Sequence, residues 1–278
     1  MFIETERLII RSINPEDETA YIDMASDGSL GDIFGDCSDC RNWMASWIQE
    51  AQALDREDDP TREYLAYAVT EKSQGTLLGS VGCSYYEDLK QVGVTFFIGS
   101  AFRGRGYAAE AVTAYVQYFF AHYDIHRLIA TVRDANVASW KTMERAGFGP
   151  FETRMYRDIN DVKDELYRFY EQEDAVHTVL AHWNLQDSRI RRIYNTAWQV
   201  GDDYVLKVYQ DQKMLERNLK MLQLLAERNI PVAQIVPTCG NALYVTNHNC
   251  FYFLSERLEG NSVTQIDSPK ALARTMGV

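Results

Sequence analysis

The stretch that decides the fold is FFIGSAFRGRGYAAEAV, residues 96–112. Within it an apolar run ends at Ile98, a turn rich in glycine and arginine follows, and a helical pattern begins. Gly104 and Gly106 remove Cβ atoms where a strand must turn into a helix, so the main-chain amides of residues 104–108 can point together at an anion. The pattern therefore predicts an anion-binding turn.

The natural occupant of this turn is a pyrophosphate, because Arg103 and Arg105 add side-chain charge to the amides. A purely structural turn would account for R-G-R-G-Y nearly as well. A Walker loop requires G-x-x-x-x-G-K-[ST], which the sequence lacks. A dinucleotide fingerprint opens the first unit of a parallel sheet, whereas the pattern before these glycines is that of an antiparallel meander.

Composition and charge narrow the class of protein. The chain has 278 residues, of which 46% are hydrophobic and 24% charged, as in soluble globular proteins of one large or two ordinary domains. No apolar run reaches the roughly 18 residues of a membrane helix, and the opening MFIETERLII is not a secretory signal. The net charge of −12 disfavours binding of nucleic acid and would attract a cationic ligand. A requirement for solubility would explain the same charge. We expect a cytoplasmic protein without a membrane or nucleic-acid partner.

The cysteines and histidines do not predict a metal site. Among the five cysteines, Cys37 and Cys40 form a single C-x-x-C motif without a second pair or nearby histidines. Thiols of this kind are typical of a reducing cytosol. The five histidines do not cluster with carboxylates at ligand spacing. We therefore expect no bound metal.

The segment before the glycine turn predicts strands and one long helix. A strand is indicated at residues 7–13, and a helix at about 39–54 carries Trp43 and Trp47 on its apolar face. Three further strands follow, separated by turn signals: EYLAYAVTEK, TLLGSVGCSYY and QVGVTFFI. This succession is typical of an antiparallel meander.

The segment after the turn predicts a continuation of the same domain and then a second one. The predicted elements are a helix at 104–121, a strand at 126–133, a helix at 136–146 that Gly147 ends, and two strands within 151–171. The acidic EQED at 171–174 marks a change in composition. Beyond it the pattern predicts a hairpin near Gly201, a helix at 211–229 and two more strands.

Two motifs give residues 1–171 a resemblance to a known family. The order of elements and the sequence Arg103-Gly104-Arg105-Gly106-Tyr107-Ala108 resemble the GNAT superfamily of N-acetyltransferases, whose signature is [RQ]-x-x-G-x-[GA]. A second block, NVASWKTMERAGF at 136–148, is similar to the N-x-x-S…E-x-x-G-F block of the branch that acetylates ribosomal-protein N-termini. The opening ETERLIIR also resembles that branch.

The resemblance implies an α/β fold with a mixed, mostly antiparallel sheet flanked by helices, and acetyl-CoA as cosubstrate. In this family acetyl-CoA lies in a splay between the fourth and fifth strands. Carried over, Phe97 and Ile98 supply backbone groups to the pantetheine arm, and the amides of Arg105 to Ala108 hold the pyrophosphate. Asn136 would lie beside the arm, and it is also suited to be a helix N-cap.

The resemblance further implies direct attack of a neutral amine on the thioester in a ternary complex. This reaction needs a base, an oxyanion donor and an acid for the leaving thiolate. The branch often carries a glutamate where this chain has Gly93, and the usual thiolate acid, a tyrosine, corresponds to Met143. Ser139 is left as a donor to the sulfur, or as a hydroxyl in the first helical turn. The general base stays unassigned, since Glu87 and Asp88 could act through water or be solvated turn acids.

The acceptor implied by the resemblance is a primary amine, either a peptide N-terminus or a small cationic amine. Trp43, Trp47, Tyr85 and Tyr86 are placed to enclose such an amine, although helix-face spacing also suits the two tryptophans to a core. Because Gly93 departs from the family pattern, an acetyl-CoA-binding sensor or scaffold without turnover is the alternative.

From residue 175 to 278 the chain resembles a second family, the aminoglycoside phosphotransferase and choline kinase-like superfamily. The resemblance is to its N-terminal lobe, a small antiparallel sheet with one main helix. It implies that Lys207 of YVLKVY contacts nucleotide phosphates and that Glu216 forms an ion pair with it. YFLSERLEG at 252–260 is similar to the hinge strand that borders adenine, so ATP is a candidate ligand.

The second module lacks the remaining parts of a kinase. No catalytic Asp or magnesium-binding residue follows before Val278, so we expect a truncated lobe without phosphoryl transfer. Apolar surface that a further lobe normally covers would favour a homo-oligomer. An acetyltransferase joined to such a lobe also resembles bifunctional aminoglycoside-modifying enzymes, which makes an aminoglycoside acceptor a further alternative.

Overall fold

The computed structural model describes residues 1–34, 39–158, 161–194, 196–247 and 250–258. The chain forms two compact units, Met1–Glu173 and Asp174–Val278. Cys37 and the last two residues of the YFLSERLEG segment lie outside the described residues. No helix within the described ranges combines the length and the apolarity that crossing a membrane requires.

The first unit is built on an eight-stranded sheet in the order β1-β2-β3-β4-β5-β6-β8-β7. The strands are β1 (Phe2–Glu4), β2 (Leu8–Ser12), β3 (Tyr64–Glu71), β4 (Leu77–Tyr86), β5 (Gln91–Ile98), β6 (Arg127–Arg133), β7 (Gly149–Tyr156) and β8 (Glu165–Glu173). Neighbouring strands are antiparallel except β5 and β6, which are parallel. This confirms the predicted mixed, mostly antiparallel sheet.

Helices cover both faces of this sheet. They are α1 (Glu18–Ala25), α2 (Gly31–Phe34), α3 (Cys40–Glu57), α4 (Tyr107–His122) and α5 (Val137–Arg145). Helix α3 extends about three residues beyond its predicted end near residue 54 and stops where Asp58 takes a positive φ of 54°. Gly147, with φ of 96°, ends α5 as predicted, because only glycine adopts this backbone without strain.

The alternating side chains of β5 contact different helices on the two faces of the sheet. Val94 and Ile98 belong to the core cluster formed with Val112 and Tyr115 of α4. Phe97 points the other way and belongs to the cluster that contains residues of α1 and α3. Successive residues of a strand face opposite sides, so β5 is buried on both faces and forms the centre of the unit.

The parallel pair of β5 and β6 separates soon after it forms. Gly93 of β5 lies opposite Ile129 of β6, and this is the register position that the two strands share within the described residues. Beyond it, within the described residues, no further register position pairs β5 with a strand on the side away from β4. Unpaired main-chain donors and acceptors of this kind are available to an extended ligand.

The second unit contains a separate antiparallel sheet in the order β12-β14-β11-β10-β9, with β13 beside β14. The strands are β9 (Ile190–Tyr194), β10 (Ala197–Val200), β11 (Tyr204–Tyr209), β12 (Ile235–Val236), β13 (Val245–Asn247) and β14 (Cys250–Glu256); the helices are α6 (Ala175–Leu180) and α7 (Gln212–Glu227). The predicted hairpin is β10–β11, with Gly201 at φ of 57° in its turn. Helix α6 was not predicted; the Asp174 carboxylate caps it by accepting from the Val176 amide at 3.0 Å.

Candidate active site

The first unit contains a cavity of about 1090 Å³ at the gap between β5 and β6. Its walls come from α3, β4, β5, β6, α5 and the segment around the end of β7. Several residues predicted from the sequence line it together: Trp43, Trp47, Tyr85, Tyr86, Glu87, Asp88, Phe97, Asn136, Ser139 and Met143. The tertiary structure thus brings residues from well-separated parts of the chain to one concave surface, as expected of a ligand site.

The glycine turn lies at the N-terminus of α4 and is exposed to solvent. Gly104 and Gly106 have φ of 76° and 81°, values that strain any residue with a Cβ. Among the described residues, no group supplies a hydrogen-bond acceptor to the main-chain amides of 104–109. Main-chain donors at the positive end of a 16-residue helix suit a pyrophosphate.

The two arginines of the turn hold the loop in place. Arg103 donates from Nε to the Ile98 carbonyl at 2.9 Å and from Nη2 to the Ser29 carbonyl at 3.1 Å. Arg105 donates to the Ala101 carbonyl at 3.5 Å. One of the backbone groups of Phe97 and Ile98 that were expected to serve the pantetheine arm, the Ile98 carbonyl, thus accepts from Arg103. The described lining of the cavity includes none of residues 103–108.

Sequence reasoning missed a cluster of side chains that fixes the start of α4. Glu110 accepts from Thr5 Oγ1 at 2.6 Å and forms an ion pair of 2.6 Å with Arg7. Arg7 also donates to the Arg105 carbonyl at 2.9 Å and lies over the Tyr107 ring, 4.8 Å from its centroid. Burial would raise the pKa of the Glu110 carboxyl, but the hydrogen bonds from Thr5 and Arg7 outweigh it and lower that pKa. Thr5 and Arg7 belong to the ETERLIIR segment, so the family motif already contained two of the residues that hold Glu110.

The predicted turn residue Tyr107 is buried, and its hydroxyl donates to Glu71 Oε1 at 2.9 Å. Its side chain therefore anchors α4 to β3, which leaves its main-chain amide as the group available to a ligand. The neighbouring Ala108 is half-buried and packs against the core.

Asn136 and Ser139 occupy the start of α5 at the cavity wall. The Asn136 side-chain oxygen accepts from the Ser139 amide at 3.2 Å, which shows the helix N-cap that its sequence position suggested. Met143, one turn later, is fully buried. The position to which the resemblance assigns the thiolate acid therefore offers no proton donor in this chain.

A neighbouring side chain fills the space beside Gly93, the position where the resemblance implies a glutamate. A Cβ added to Gly93 would lie 2.5 Å from Cε2 of Tyr86, so the tyrosine ring occupies that space. Thr131 Oγ1 lies 3.1 Å from the Tyr86 hydroxyl. Burial, followed by the charge of Asp158, raises the pKa of Tyr86 to about 12, so its hydroxyl is protonated at neutral pH.

Acidic side chains dominate the charge of the cavity. Glu63, Glu87, Asp88 and Asp158 line it, and the first three form no ion pair within the part of the chain that the structure describes. The arginines that line it are each paired with an acid: Arg62 with Glu57, Arg133 with Asp161, and Arg157 with Asp164. The uncompensated charge is therefore negative, which favours a cationic ligand. Glu63 and Asp158 were not predicted as site residues.

Aromatic rings form the opposite wall. Phe34 lies 5.2 Å from Trp47 and 5.5 Å from Trp43, measured between ring centroids. Both tryptophans pack against the buried cluster of α1 and α3 and also line the cavity. The two tryptophans therefore belong both to the hydrophobic core and to the wall of the cavity, so the two interpretations are compatible.

Comparison with known proteins identifies the family. The model of the acetyltransferase (GNAT) domain matches residues 7–149. The chain belongs to the GNAT acetyltransferase family. An uncharacterized N-acetyltransferase of Bacillus subtilis (strain 168), YnaD, is 25% identical over 149 residues, which cover 53% of this chain and 82% of that protein.

Solved GNAT structures share the fold. A GNAT-family acetyltransferase from Bacillus anthracis has a TM-score of 0.52 and 21% identity, covering 62% of this chain and 98% of that one. RimL, described as a ribosomal L7/L12 alpha-N-protein acetyltransferase in complex with coenzyme A, has a TM-score of 0.54 and 14% identity, covering 63% of this chain and 98% of that one. The GNAT match ends at residue 149, so the second unit lies outside it.

Within the described part of the second unit, Lys207 and Glu216 do not form the predicted ion pair. The Lys207 ammonium lies 5.8 Å from the centroid of the Phe253 ring. Glu216 instead accepts from Gln212 at 2.9 Å and from the Tyr244 hydroxyl at 3.2 Å. The nucleotide-binding role of this unit stays a prediction.

Proposed function

We propose that the first unit transfers an acetyl group from acetyl-CoA to a primary amine by direct attack in a ternary complex. The observation that carries this proposal is the row of main-chain amides at 104–109, which point from the start of α4 without a described acceptor. Family membership supplies the reaction type, and the turn supplies the binding site for the diphosphate.

Acetyl-CoA would be held by main-chain groups more than by side chains. The amides of Arg105 to Ala108 would bind the pyrophosphate, and the main chain of Phe97 and Ile98 would bind the pantetheine arm across the gap beside β5. Asn136 and Ser139, which line the cavity, would lie next to the thioester. The bound cosubstrate supplies the activated acyl carbonyl. The coenzyme A complex of RimL supports this assignment by fold similarity.

The acceptor would be a cation in its resting form, either a peptide N-terminus or a small amine. The carboxylates of Glu63, Glu87 and Asp88 face the cavity without an ion-pair partner among the described residues, and they would draw an ammonium group toward it. A protein α-amine is the acceptor in the description of RimL. Ser139 would donate to the leaving sulfur.

The experiment is an acceptor screen with purified full-length protein. Acetyl-CoA is incubated with peptides bearing free N-termini, with polyamines and with aminoglycosides, while thiol release and acetyl addition by mass spectrometry are followed. Turnover with any amine supports the transferase. Tight acetyl-CoA binding without turnover would instead support the sensor or scaffold that the departures at Gly93 and Met143 suggest. Preferred turnover of aminoglycosides would favour the aminoglycoside-modifying alternative.

For the second unit we infer a kinase-like N-terminal lobe that binds a nucleotide. Its antiparallel sheet with one main helix, and Lys207 on a central strand, support this proposal. Helix α7 exposes Met214, Met221 and Leu224, which supports self-association through this unit. Size-exclusion chromatography with light scattering would measure that association.

A further inference from the structure

The apex of the gap between β5 and β6 is covered on the cavity side by Tyr86. The apex is the position where Gly93 meets Ile129. A Cβ on Gly93 would lie 2.5 Å from Cε2 of Tyr86 and 3.4 Å from Cγ1 of Ile129. A glutamate at position 93 and the Tyr86 ring in its present place therefore exclude each other. Tyr86 therefore occupies the space in which a glutamate side chain at position 93 would lie, which makes it the first candidate to handle the proton of the acceptor.

The Tyr86 hydroxyl begins a series of polar side chains. Thr131 Oγ1 lies 3.1 Å from Tyr86 Oη and 3.5 Å from Asp158 Oδ2. Because Thr131 has a single hydroxyl proton, it accepts from Tyr86 whenever it donates to Asp158. All three residues line the cavity, and Asp158 is half-buried. The series connects the apex with a carboxylate that water can reach.

We propose that Tyr86, Thr131 and Asp158 form a proton relay that neutralises the acceptor ammonium, an inference that rests on the proposed acetyl transfer. An ammonium N–H donates to Tyr86 Oη. As that proton passes to Tyr86, the phenolic proton passes to Thr131, and the Thr131 proton passes to Asp158. Each hydroxyl gains one proton and loses one, so neither becomes charged. The ammonium becomes a neutral amine and the carboxylate becomes a carboxylic acid.

The remaining steps of the acetyl transfer balance in protons and electrons without another reactant. The lone pair of the neutral amine forms the N–C bond, and the electron pair of the C–S bond leaves with sulfur. A second proton of the amine neutralises the thiolate, which leaves an amide and a thiol. The proton on Asp158 exchanges with water, and this restores the relay.

Passing a proton through Tyr86 is consistent with its protonation state. Burial, with the charges of Asp158 and Asp88, raises the pKa of Tyr86 to about 12. A free phenolate is therefore a minor species at neutral pH, whereas an exchange of one proton for another requires no phenolate. The 3.5 Å between Thr131 and Asp158 exceeds the usual O–H···O distance of about 2.7–2.8 Å, so the two groups must approach when the acceptor binds.

Other charged and titratable groups surround the relay. Asp88, in the turn between β4 and β5, accepts from the Tyr156 hydroxyl at 3.3 Å. Burial first, and then the neighbouring acids, raise the pKa of both Tyr156 and Tyr167 above the ordinary range. Arg133 of β6 is paired with Asp161. Near neutral pH the two tyrosines are therefore protonated, so they do not compete with Asp158 for the transferred proton.

The kinetic test uses the amine that the acceptor screen identifies as the fastest substrate. Tyr86→Phe and Thr131→Val keep the shape of each side chain and should lower kcat about 10²-fold at pH 7 without changing the Kd for acetyl-CoA. The deficit of Asp158→Asn should shrink as pH rises through the pKa of the acceptor, about 8 for an α-amine, because solvent then supplies the neutral form. A merely structural role would give a deficit independent of pH.

A second readout needs no acetyl-CoA. The alkaline absorbance titration of the wild type minus that of Tyr86→Phe reports the Tyr86 phenol alone. Asp158→Asn removes a negative charge beside that phenol, so Tyr86 should titrate at lower pH in this variant. Asp124→Asn, at a fully exposed aspartate outside the cavity, is the matched control and should leave the Tyr86 titration unchanged.

The outcomes separate failure of the relay from failure of the proposed function. If the wild type acetylates an amine and the three variants keep its kcat and pH profile, the relay is overturned while the transferase stands. An unchanged Tyr86 titration in Asp158→Asn would also overturn the relay. If the wild type acetylates no amine of the panel, the proposed function fails and the relay falls with it. Tyr118→Phe, on α4 away from the cavity lining, controls for the loss of a tyrosine hydroxyl.

Discussion

The ring of Tyr86 lies against the α-carbon of Gly93, so closely that a Cβ there would be 2.5 Å from Cε2 of the ring. The two residues belong to adjacent antiparallel strands, β4 and β5. Tyr86 can therefore occupy its present position only because residue 93 has no side chain. The glycine does more than remove the glutamate that the family resemblance implies at this position.

Substitution of Gly93 should test this relationship. In Gly93→Ala the new methyl group displaces the Tyr86 ring and with it the hydroxyl beside Thr131, so we expect a lower kcat and a loss of stability of about 1–3 kcal/mol. Steady-state kinetics and thermal unfolding would measure both. Gly149→Ala is the matched control, because a Cβ there has no atom within 4 Å and φ is not positive. Equal behaviour of the two variants would contradict the prediction.

The conformation of the glycine turn should control acetyl-CoA affinity. Gly104→Ala has open space around its Cβ, but its φ of 76° would cost an L-residue about 1–2 kcal/mol. Relief of that strain would turn the amides of 104–108 away from the anion, and calorimetry should show weaker acetyl-CoA binding. Gly201→Ala carries a similar strain at φ of 57° in the second unit and should leave that affinity unchanged. Unchanged binding in Gly104→Ala would contradict the role of the turn.

The Glu110 carboxylate should stabilise the first unit in a pH-dependent way. Hydrogen bonds from Thr5 and Arg7 lower the pKa of this group below its unfolded value of about 4.3, so its contribution is present above that pH and is lost as pH falls through the folded pKa. Glu110→Gln should cost about 1 kcal/mol at pH 7. The difference from wild type should shrink toward zero in acid, which urea unfolding at several pH values would show.

The control for Glu110 is another glutamate in an ion pair. Glu4 and Lys72 lie 2.6 Å apart, but both side chains are about half exposed. Solvent screens such a pair, so Glu4→Gln should change the free energy of unfolding by less than Glu110→Gln. A pH-independent loss in Glu110→Gln would show that the ion pair with Arg7 is not its cause.

Asn136 should have two separable roles. Asn136→Ala removes the acceptor for the Ser139 amide and should destabilise the first unit by about 1 kcal/mol, whereas Asn136→Ser keeps a capping oxygen and should preserve stability. If Asn136 also contacts the pantetheine arm, both variants should bind acetyl-CoA more weakly. Normal affinity in Asn136→Ser would limit this residue to its capping role.

Lys207 should decide whether the second unit binds a nucleotide. ATP should raise the melting temperature of the full-length protein, because a ligand that binds only the folded state stabilises it. Lys207→Ala should abolish this shift, while Lys213→Ala, at the exposed start of α7, should retain it. No shift with the wild type would end the nucleotide-binding hypothesis.

The strand–turn–helix at residues 96–112 could be predicted because its determinants are local. Alternation along β5, positive φ at Gly104 and Gly106, and the helical periodicity of α4 all arise within a few neighbouring residues. The same holds for the cap at Asn136 and the end of α5 at Gly147. These local features are therefore sufficient to predict the glycine turn from the sequence.

The sequence by itself therefore determined the fold class and the glycine turn, and its family resemblance implied that Gly93 and Met143 stand at the positions of the usual base and acid. Only the tertiary structure decided that the residues of the proposed relay, Tyr86, Thr131 and Asp158, lie together, because they belong to three segments that meet through sheet pairing. Local patterns cannot specify such contacts, since each depends on the register of several strands at once. The tertiary structure also pairs the arginines of the cavity with acids outside its lining. These pairs leave the cavity with a negative charge, which local sequence patterns could not predict.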